Sequence, residues 1–249
     1  MRSLFLAWQA SDGSPSGRAW FPVGLLEAAP ERSDYRFRYI RGAMKAQQEV
    51  GFEPLLAFPD FKRDYRSERL FPLFENRVLS PKRRDFGDYI EWLDLDRDRA
   101  DPIAILSVSG GQRMTDNLEV FPKVSADAEG HFRVRFFLHG VRHLDEQAVN
   151  RAIDMQSGDP LRVMVELNNP ATRLAVSLFT DDYRMIGWAP RYLIGDLIAS
   201  LARNPEIEAK VARVNVDAPL NQRVLIEYNG RMPEGVEPMS GPDFKPLID

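Results

Sequence analysis

Cysteine, histidine and long apolar runs are scarce in this sequence of 249 residues. It has no cysteine, which excludes disulfide frameworks, cysteine-ligated zinc, iron–sulfur clusters and thiol catalysis. With only three histidines, a metal site would need carboxylate ligands, and no recognised ligand spacing supports one. We therefore expect no metal and no other cofactor. No apolar run approaches the roughly 18 to 20 residues that cross a bilayer, which predicts a soluble, cytoplasmic protein with no membrane partner.

The sequence also has no excess of Lys and Arg over Asp and Glu. Up to Lys123 the chain has 19 Lys and Arg against 19 Asp and Glu, and from Val124 onward it has 14 against 18. A general nucleic-acid binder usually carries a basic face, because its affinity comes mainly from the release of counterions. Any contact of this chain with nucleic acid must therefore be local.

The residues that are present predict a folded α+β protein. The chain contains 15 Phe, 7 Tyr and 4 Trp, more aromatics than disordered chains carry. Short alternating segments predict strands, and apolar residues at helical spacing predict helices, without regular strand–helix alternation. We predict a hairpin over 4–23, strands over 35–39, 54–58, 118–121, 132–138, 161–166, 175–179, 185–188 and 223–228, and helices over 43–50, 67–78, 86–93, 103–108, 146–155 and 192–202.

A polar stretch at 124–130, which ends in glycine, predicts a boundary between two folding units. We therefore divide the chain into a first domain at 1–123 and a second domain at 131–249.

No motif for catalysis is complete. Gly110 and Gly111 lack the lysine of a phosphate-binding loop, and the aspartates that begin at Asp94 lack the glycine and glutamate of a calcium loop. His139 and His143 could form a metal pair or a general base, but neither a nucleophile elbow nor a zinc-protease spacing accompanies them. We therefore expect a protein that is not an enzyme.

The second half resembles the HIRAN domain. The likeness covers about residues 132–230 and rests on the order of four segments, which are 140–143, 161–166, 169–176 and 186–191. They correspond to a glycine–arginine opening, a strand, an asparagine–proline segment, and an isoleucine–glycine segment that leads into a helix. This chain differs from the family in the central segment, where it has Ala171, Thr172 and Leu174.

The resemblance implies a small β-barrel with flanking helices, which occurs alone in bacteria or attached to DNA-repair helicases. In that family the module captures single-stranded DNA at its 3′ end. By position, the resemblance implies that Arg142, His143, Trp188 and Arg191 contact nucleic acid. An aromatic ring can stack on a base while arginine binds phosphate, which suits these residue types.

The first half is similar to the N-terminal subdomain of HipA-type kinases. The similarity rests on residues 35–39, 70–79, 102–111 and 118–120. In that family the subdomain covers the kinase core without contributing a catalytic residue, and stand-alone versions can act on a partner kinase. Nothing in this chain resembles the kinase catalytic loop, so a phosphotransferase is not expected.

Two functions follow from these patterns. The first is a non-enzymatic protein that binds single-stranded DNA or DNA 3′ ends. The alternative is a protein-interaction or regulatory module that acts on a separate kinase or helicase. The role of Trp188 distinguishes the two functions. Nucleic-acid binding predicts that it stacks on a base, whereas the alternative predicts that it is a core residue beside the strand at 185–188.

Overall fold

The computed structural model describes residues 1–11, 19–113, 115–203 and 207–248 and shows an α+β protein. These residues cluster into two compact units. The first comprises residues 1–87, 95–123 and 239–249, and the second comprises residues 88–94 and 124–238. The terminal residues 239–249, which the sequence-based division places in the second domain, thus cluster with the first unit. Whether 1–123 and 131–249 fold separately stays a prediction.

In the first unit, five antiparallel strands form a sheet in the order β4-β3-β2-β1-β5. The strands are β1 (Arg2–Gln9), β2 (Trp20–Ala29), β3 (Asp34–Tyr39), β4 (Tyr65–Ser67) and β5 (Leu118–Pro122). The predicted hairpin forms between β1 and β2, while most of its predicted polar loop lies outside the described residues.

Glycines end the two longest helices of this unit. The helix α1 (Arg41–Val50) ends at Gly51. The short helix α2 (Pro72–Glu75) follows it. The helix α3 (Phe86–Trp92) lies mostly within residues 88–94, which cluster with the second unit. The helix α4 (Pro102–Ser109) belongs to the first unit and ends at Gly110. Both glycines are left-handed, a conformation that glycine adopts without strain.

Two element predictions were wrong in this unit. Residues 54–58 form a loop with a turn instead of a strand. The helix predicted over 67–78 is confined to α2, because Ser67 belongs to β4 and the residues after Glu75 form turns.

In the second unit, six antiparallel strands form a sheet in the order β6-β11-β10-β7-β8-β9. The elements are β6 (His131–Phe137), α5 (Glu146–Ile153), β7 (Pro160–Asn169), β8 (Arg173–Phe179), β9 (Met185–Trp188), α6 (Ile194–Arg203), β10 (Glu208–Val214) and β11 (Val224–Arg231).

The two edges of this sheet, β6 and β9, are not joined by a ladder within the described ranges, so the expected closed barrel is not formed there. They meet instead at one isolated bridge, between His139 just beyond β6 and Trp188 at the end of β9. The sheet therefore curls until its edges touch at a single residue pair. In the part of the chain that the structure describes, no helix is both long enough and apolar enough to cross a membrane.

Candidate nucleic-acid interface

The bridge between the two sheet edges brings together residues that lie far apart in the sequence. The backbone N–H of His139 donates to the Trp188 carbonyl at 2.9 Å, and the N–H of Trp188 donates back at 3.1 Å. Gly140 follows with φ +71°, and a Cβ at this position would lie 2.4 Å from Cε3 of the Trp188 ring. Glycine is therefore required here twice, for the backbone conformation and for the close approach to the indole.

The indole of Trp188 is half-buried and spans the neighbouring strand β8. Its Nε1–H donates to Oε1 of Glu166 on β7 at 2.8 Å. Ser177 lies opposite Trp188 in the β8–β9 pairing, and Ala175 lies opposite Glu166 in the β7–β8 pairing. Because these two side chains are small, the indole reaches across β8 to the carboxylate. We call Gly140, Glu166 and Trp188 the indole clasp.

The Glu166 carboxylate is held by several donors. Its Oε2 accepts a hydrogen bond from Asn169 Nδ2 at 2.9 Å. Partial burial by itself raises the pKa of Glu166, but hydrogen bonds from Asn169, Ser177 and Trp188 outweigh it and bring the pKa below the usual glutamate value. The carboxylate therefore stays ionised at neutral pH and keeps accepting the indole N–H.

Arg142 and His143 lie on a short 3-10 turn directly after Gly140. Both side chains are exposed, and Arg142 Nε donates to His143 Nε2 at 3.1 Å. The guanidinium of Arg142 therefore lies at the surface, with the His143 ring as a hydrogen-bond partner. Arg191, at the start of another 3-10 turn, is half-buried and already has an intramolecular partner.

The structure thus brings the turn that carries Arg142 and His143 next to the strand end at Trp188, because Gly140 directly before this turn packs on the indole. It also adds two residues that sequence reasoning missed. Glu166 and Asn169 fix the indole and the turn that follows β7. Asn169 Oδ1 accepts from the backbone N–H of Ala171 and Thr172. The asparagine–proline pair was the available signal for this turn, whereas Glu166 looked like an ordinary solvent-facing residue of an alternating strand.

A second group of polar side chains lies at the turn before β6. One ligand atom from each of Asp127, Glu129 and His131 lies within 4.8 Å of the others, and all three residues are exposed. Asp127 Oδ1 already accepts the backbone N–H of His131 at 2.8 Å, and Asp127 Oδ2 lies 3.3 Å from His131 Nδ1. Hydrogen bonds within the turn therefore explain why these three side chains lie close together, and no bound ligand is needed to explain it.

Comparisons with known proteins assign no family to this chain. No protein-family model and no curated protein matches the sequence. A solved structural-genomics protein from Lactobacillus plantarum aligns with 41% of this chain and 100% of its own length, at 16% identity and a TM-score of 0.32. A likeness at that TM-score supports no conclusion about fold or function.

Proposed function

We propose that the second unit binds single-stranded nucleic acid, or the end of a strand, without catalysing a reaction. The observation that carries the proposal is the exposed pair Arg142 and His143 beside the half-buried indole of Trp188. A guanidinium can hold a phosphate while an indole contacts a base, and this combination occurs in single-strand binding sites.

The finer fold assignment belongs to the same proposal. We take the second unit as a HIRAN-type module and the first as a scaffold like the HipA N-terminal subdomain. Support for the HIRAN type comes from the meeting of its opening segment at Gly140 with its later segment at Trp188.

The geometry also limits the affinity of this site for nucleic acid. Gly140 covers part of the Trp188 ring, and the indole N–H is occupied by Glu166. A base can therefore reach only the remaining ring surface, and the ionised Glu166 repels nearby phosphates. Arg142 is the exposed cation on this turn, so we expect weak, local and salt-dependent binding, without the broad basic face of a general nucleic-acid binder.

The test is a fluorescence anisotropy titration with labelled single strands, whose 3′ ends are free or blocked, at two salt concentrations. Base stacking on an aromatic ring contributes about 1 to 3 kcal/mol, so Trp188→Ala should weaken binding by roughly 5- to 150-fold. Arg142→Gln should lower the slope of log affinity against log salt by about one unit. Arg231→Gln, an exposed arginine elsewhere in the same unit, is the control and should leave the slope unchanged.

Folding must be checked in parallel, because Trp188 is half-buried. Trp188→Phe keeps an aromatic ring and removes the indole N–H, so it separates stacking from the hydrogen bond to Glu166. If Trp188→Ala and Arg142→Gln both keep the melting temperature and the affinity of the native chain, the proposed site is excluded. Equal affinity for strands with free and with blocked 3′ ends would show that the protein binds the single strand without recognising its 3′ end.

The second candidate is a protein-interaction or regulatory module, which acts on a separate kinase or helicase. It is favoured by the net negative charge from Val124 onward, where 14 Lys and Arg stand against 18 Asp and Glu. An acidic domain binds nucleic acid weakly, because it repels the phosphates of the backbone. Absence of any salt-dependent binding to single strands would favour this candidate over nucleic-acid binding.

A further inference from the structure

The final stretch of the sequence docks on the first unit. Residues 239–249 cluster with that unit, although residues 124–238 before them belong to the second. We call residues 239–248 the terminal segment. Within it, Pro246 forms an isolated antiparallel bridge with Ile40, directly after β3. The terminal segment therefore lies against the sheet of the first unit.

The terminal segment occupies the side of β3 that faces away from β2. The N–H of Ile40 donates to the carbonyl of Val23 on β2 at 3.1 Å. Because the backbone groups of successive strand residues point to opposite sides, those of Tyr39 and Arg41 point away from β2. Strand β4 pairs with β3 at residues 35–37. The terminal segment takes up the sheet edge beyond them.

Two backbone hydrogen bonds hold the terminal segment at this edge. The N–H of Leu247 donates to the Tyr39 carbonyl at 3.2 Å. The N–H of Arg41 donates to the Lys245 carbonyl at 2.8 Å. These bonds flank Pro246, whose own backbone groups are directed away from β3 in such a pair. The missing N–H of proline therefore costs no hydrogen bond at this position.

Side chains of the terminal segment also contact the first unit. The ring of Phe244 lies 4.9 Å from that of Phe5 on β1, edge to face at 63°. Leu247 packs against the hydrophobic core, and Lys45 Nζ lies 3.0 Å from a carboxylate oxygen of Asp243. An acidic residue, an aromatic ring, a proline and a leucine thus follow one another along the contact.

This arrangement is the one in which many domains bind peptides. An extended segment is added to a sheet edge, where backbone hydrogen bonds supply affinity and side-chain contacts supply specificity. The terminal segment is connected to β11 through residues 232–238, of which 234–237 are all exposed. Its place on the first unit is therefore held by the docking contacts, and an exposed connection acts as a tether.

We propose that the sheet edge beside Ile40 is a peptide-binding site of the first unit and that the terminal segment is its resident ligand. A separate peptide with the same chemistry replaces it, namely an acidic residue, an aromatic residue, any residue, a proline and a leucine. A short tether gives the resident ligand an effective concentration of about millimolar. Exchange therefore requires that the tether be cut or that the competitor bind more tightly. This inference is independent of the nucleic-acid proposal, because it concerns the first unit.

The test cuts the tether in the full chain. A recognition sequence for a specific protease is inserted after Gly235, in the exposed connection. After cleavage, a labelled synthetic peptide of residues 239–249 should bind saturably, as measured by fluorescence anisotropy, and replace the cut segment. The same chain before cleavage should bind the labelled peptide roughly 10-fold more weakly, because its own segment competes. Circular dichroism checks that both forms are folded.

Two variant peptides test the specificity of the contact. Phe244→Ala removes the ring that contacts Phe5 and should weaken binding by roughly 10-fold, since Phe244 is half-buried. Lys245→Ala is the matched control and should bind like the native peptide, because the Lys245 side chain is exposed and its contact is made by the backbone carbonyl.

Three results would overturn the proposal. The cleaved chain could stay folded and fail to bind the native peptide. It could unfold without recovery when the peptide is added, which would make the terminal segment a permanent part of the fold. The Phe244→Ala peptide could bind as tightly as the native one, which would show that the edge does not recognise the aromatic residue.

Discussion

Gly140→Ala is the sharpest test of the indole clasp. The new Cβ would lie 2.4 Å from Cε3 and 2.7 Å from Cζ3 of Trp188, well inside the ordinary carbon–carbon contact of about 3.5 to 4.0 Å. The ring cannot move away freely, because its Nε1–H is hydrogen-bonded to Glu166 at 2.8 Å. The substitution must therefore shift either the ring or the turn that carries Arg142.

Two effects determine how much Gly140→Ala destabilises the second unit. A non-glycine residue in the left-handed region costs about 1 to 2 kcal/mol, and Gly140 has φ +71°. Overpacking adds typically about 1 to 3 kcal/mol. Gly235 isolates the first effect, because it lies in the same unit with φ +73° and has no atom within 4 Å of its ideal Cβ position. Gly235→Ala should therefore show only the backbone cost, and Gly140→Ala should show both.

The assay is thermal unfolding followed by circular dichroism. An excess destabilisation of about 1 to 3 kcal/mol corresponds to roughly 3 to 18 °C in Tm for a unit of this size. In a Trp188→Ala background the excess should disappear, since the clash has no partner there. Equal Tm losses for Gly140→Ala and Gly235→Ala would refute the clasp, and so would an excess that persists without the indole.

Local sequence signals predicted much of the fold correctly. The helices α1 and α4 were found because their apolar periodicity ends at Gly51 and Gly110, and both glycines adopt the left-handed conformation. The error at 54–58 has a non-local cause. The Tyr39 hydroxyl accepts the N–H of Leu55 and donates to the carbonyl of Phe58, so a side chain distant in sequence fixes this loop.

Strand β10 was missed, because Lys210 and Arg213 interrupt its apolar residues. In the folded unit Lys210 lies 3.6 Å from Glu227 on β11, an ion pair that no local pattern shows. Non-local contacts also limited how much of the candidate site could be predicted from the sequence. Arg142 and Trp188 could be named from their segments, but their proximity depends on the curl of the sheet, which brings residues 139 and 188 together.

Three further predictions concern stability, metal binding and pH. Tyr39→Phe should destabilise the first unit by about 1 to 3 kcal/mol, measured by urea unfolding, because the backbone groups that it satisfies, including the carbonyl of Phe58, lose their partner. Dialysis against a chelator should leave Tm unchanged; stoichiometric zinc that is retained by the native chain and lost in His131→Ala would contradict this. Burial alone raises the pKa of Glu227, but the hydrogen bond and charge of Arg133, with the neighbouring cations, lower it below the usual value. A carboxyl whose pKa is lower in the folded state stabilises the fold above its unfolded pKa, and this stabilisation is lost as pH falls through the folded pKa. Glu227→Gln should therefore lower Tm at neutral pH, and its difference from the native chain should shrink on acidification below about pH 4, the ordinary range of a glutamate. A Tm difference that does not change with pH would show that the charge of Glu227 contributes nothing.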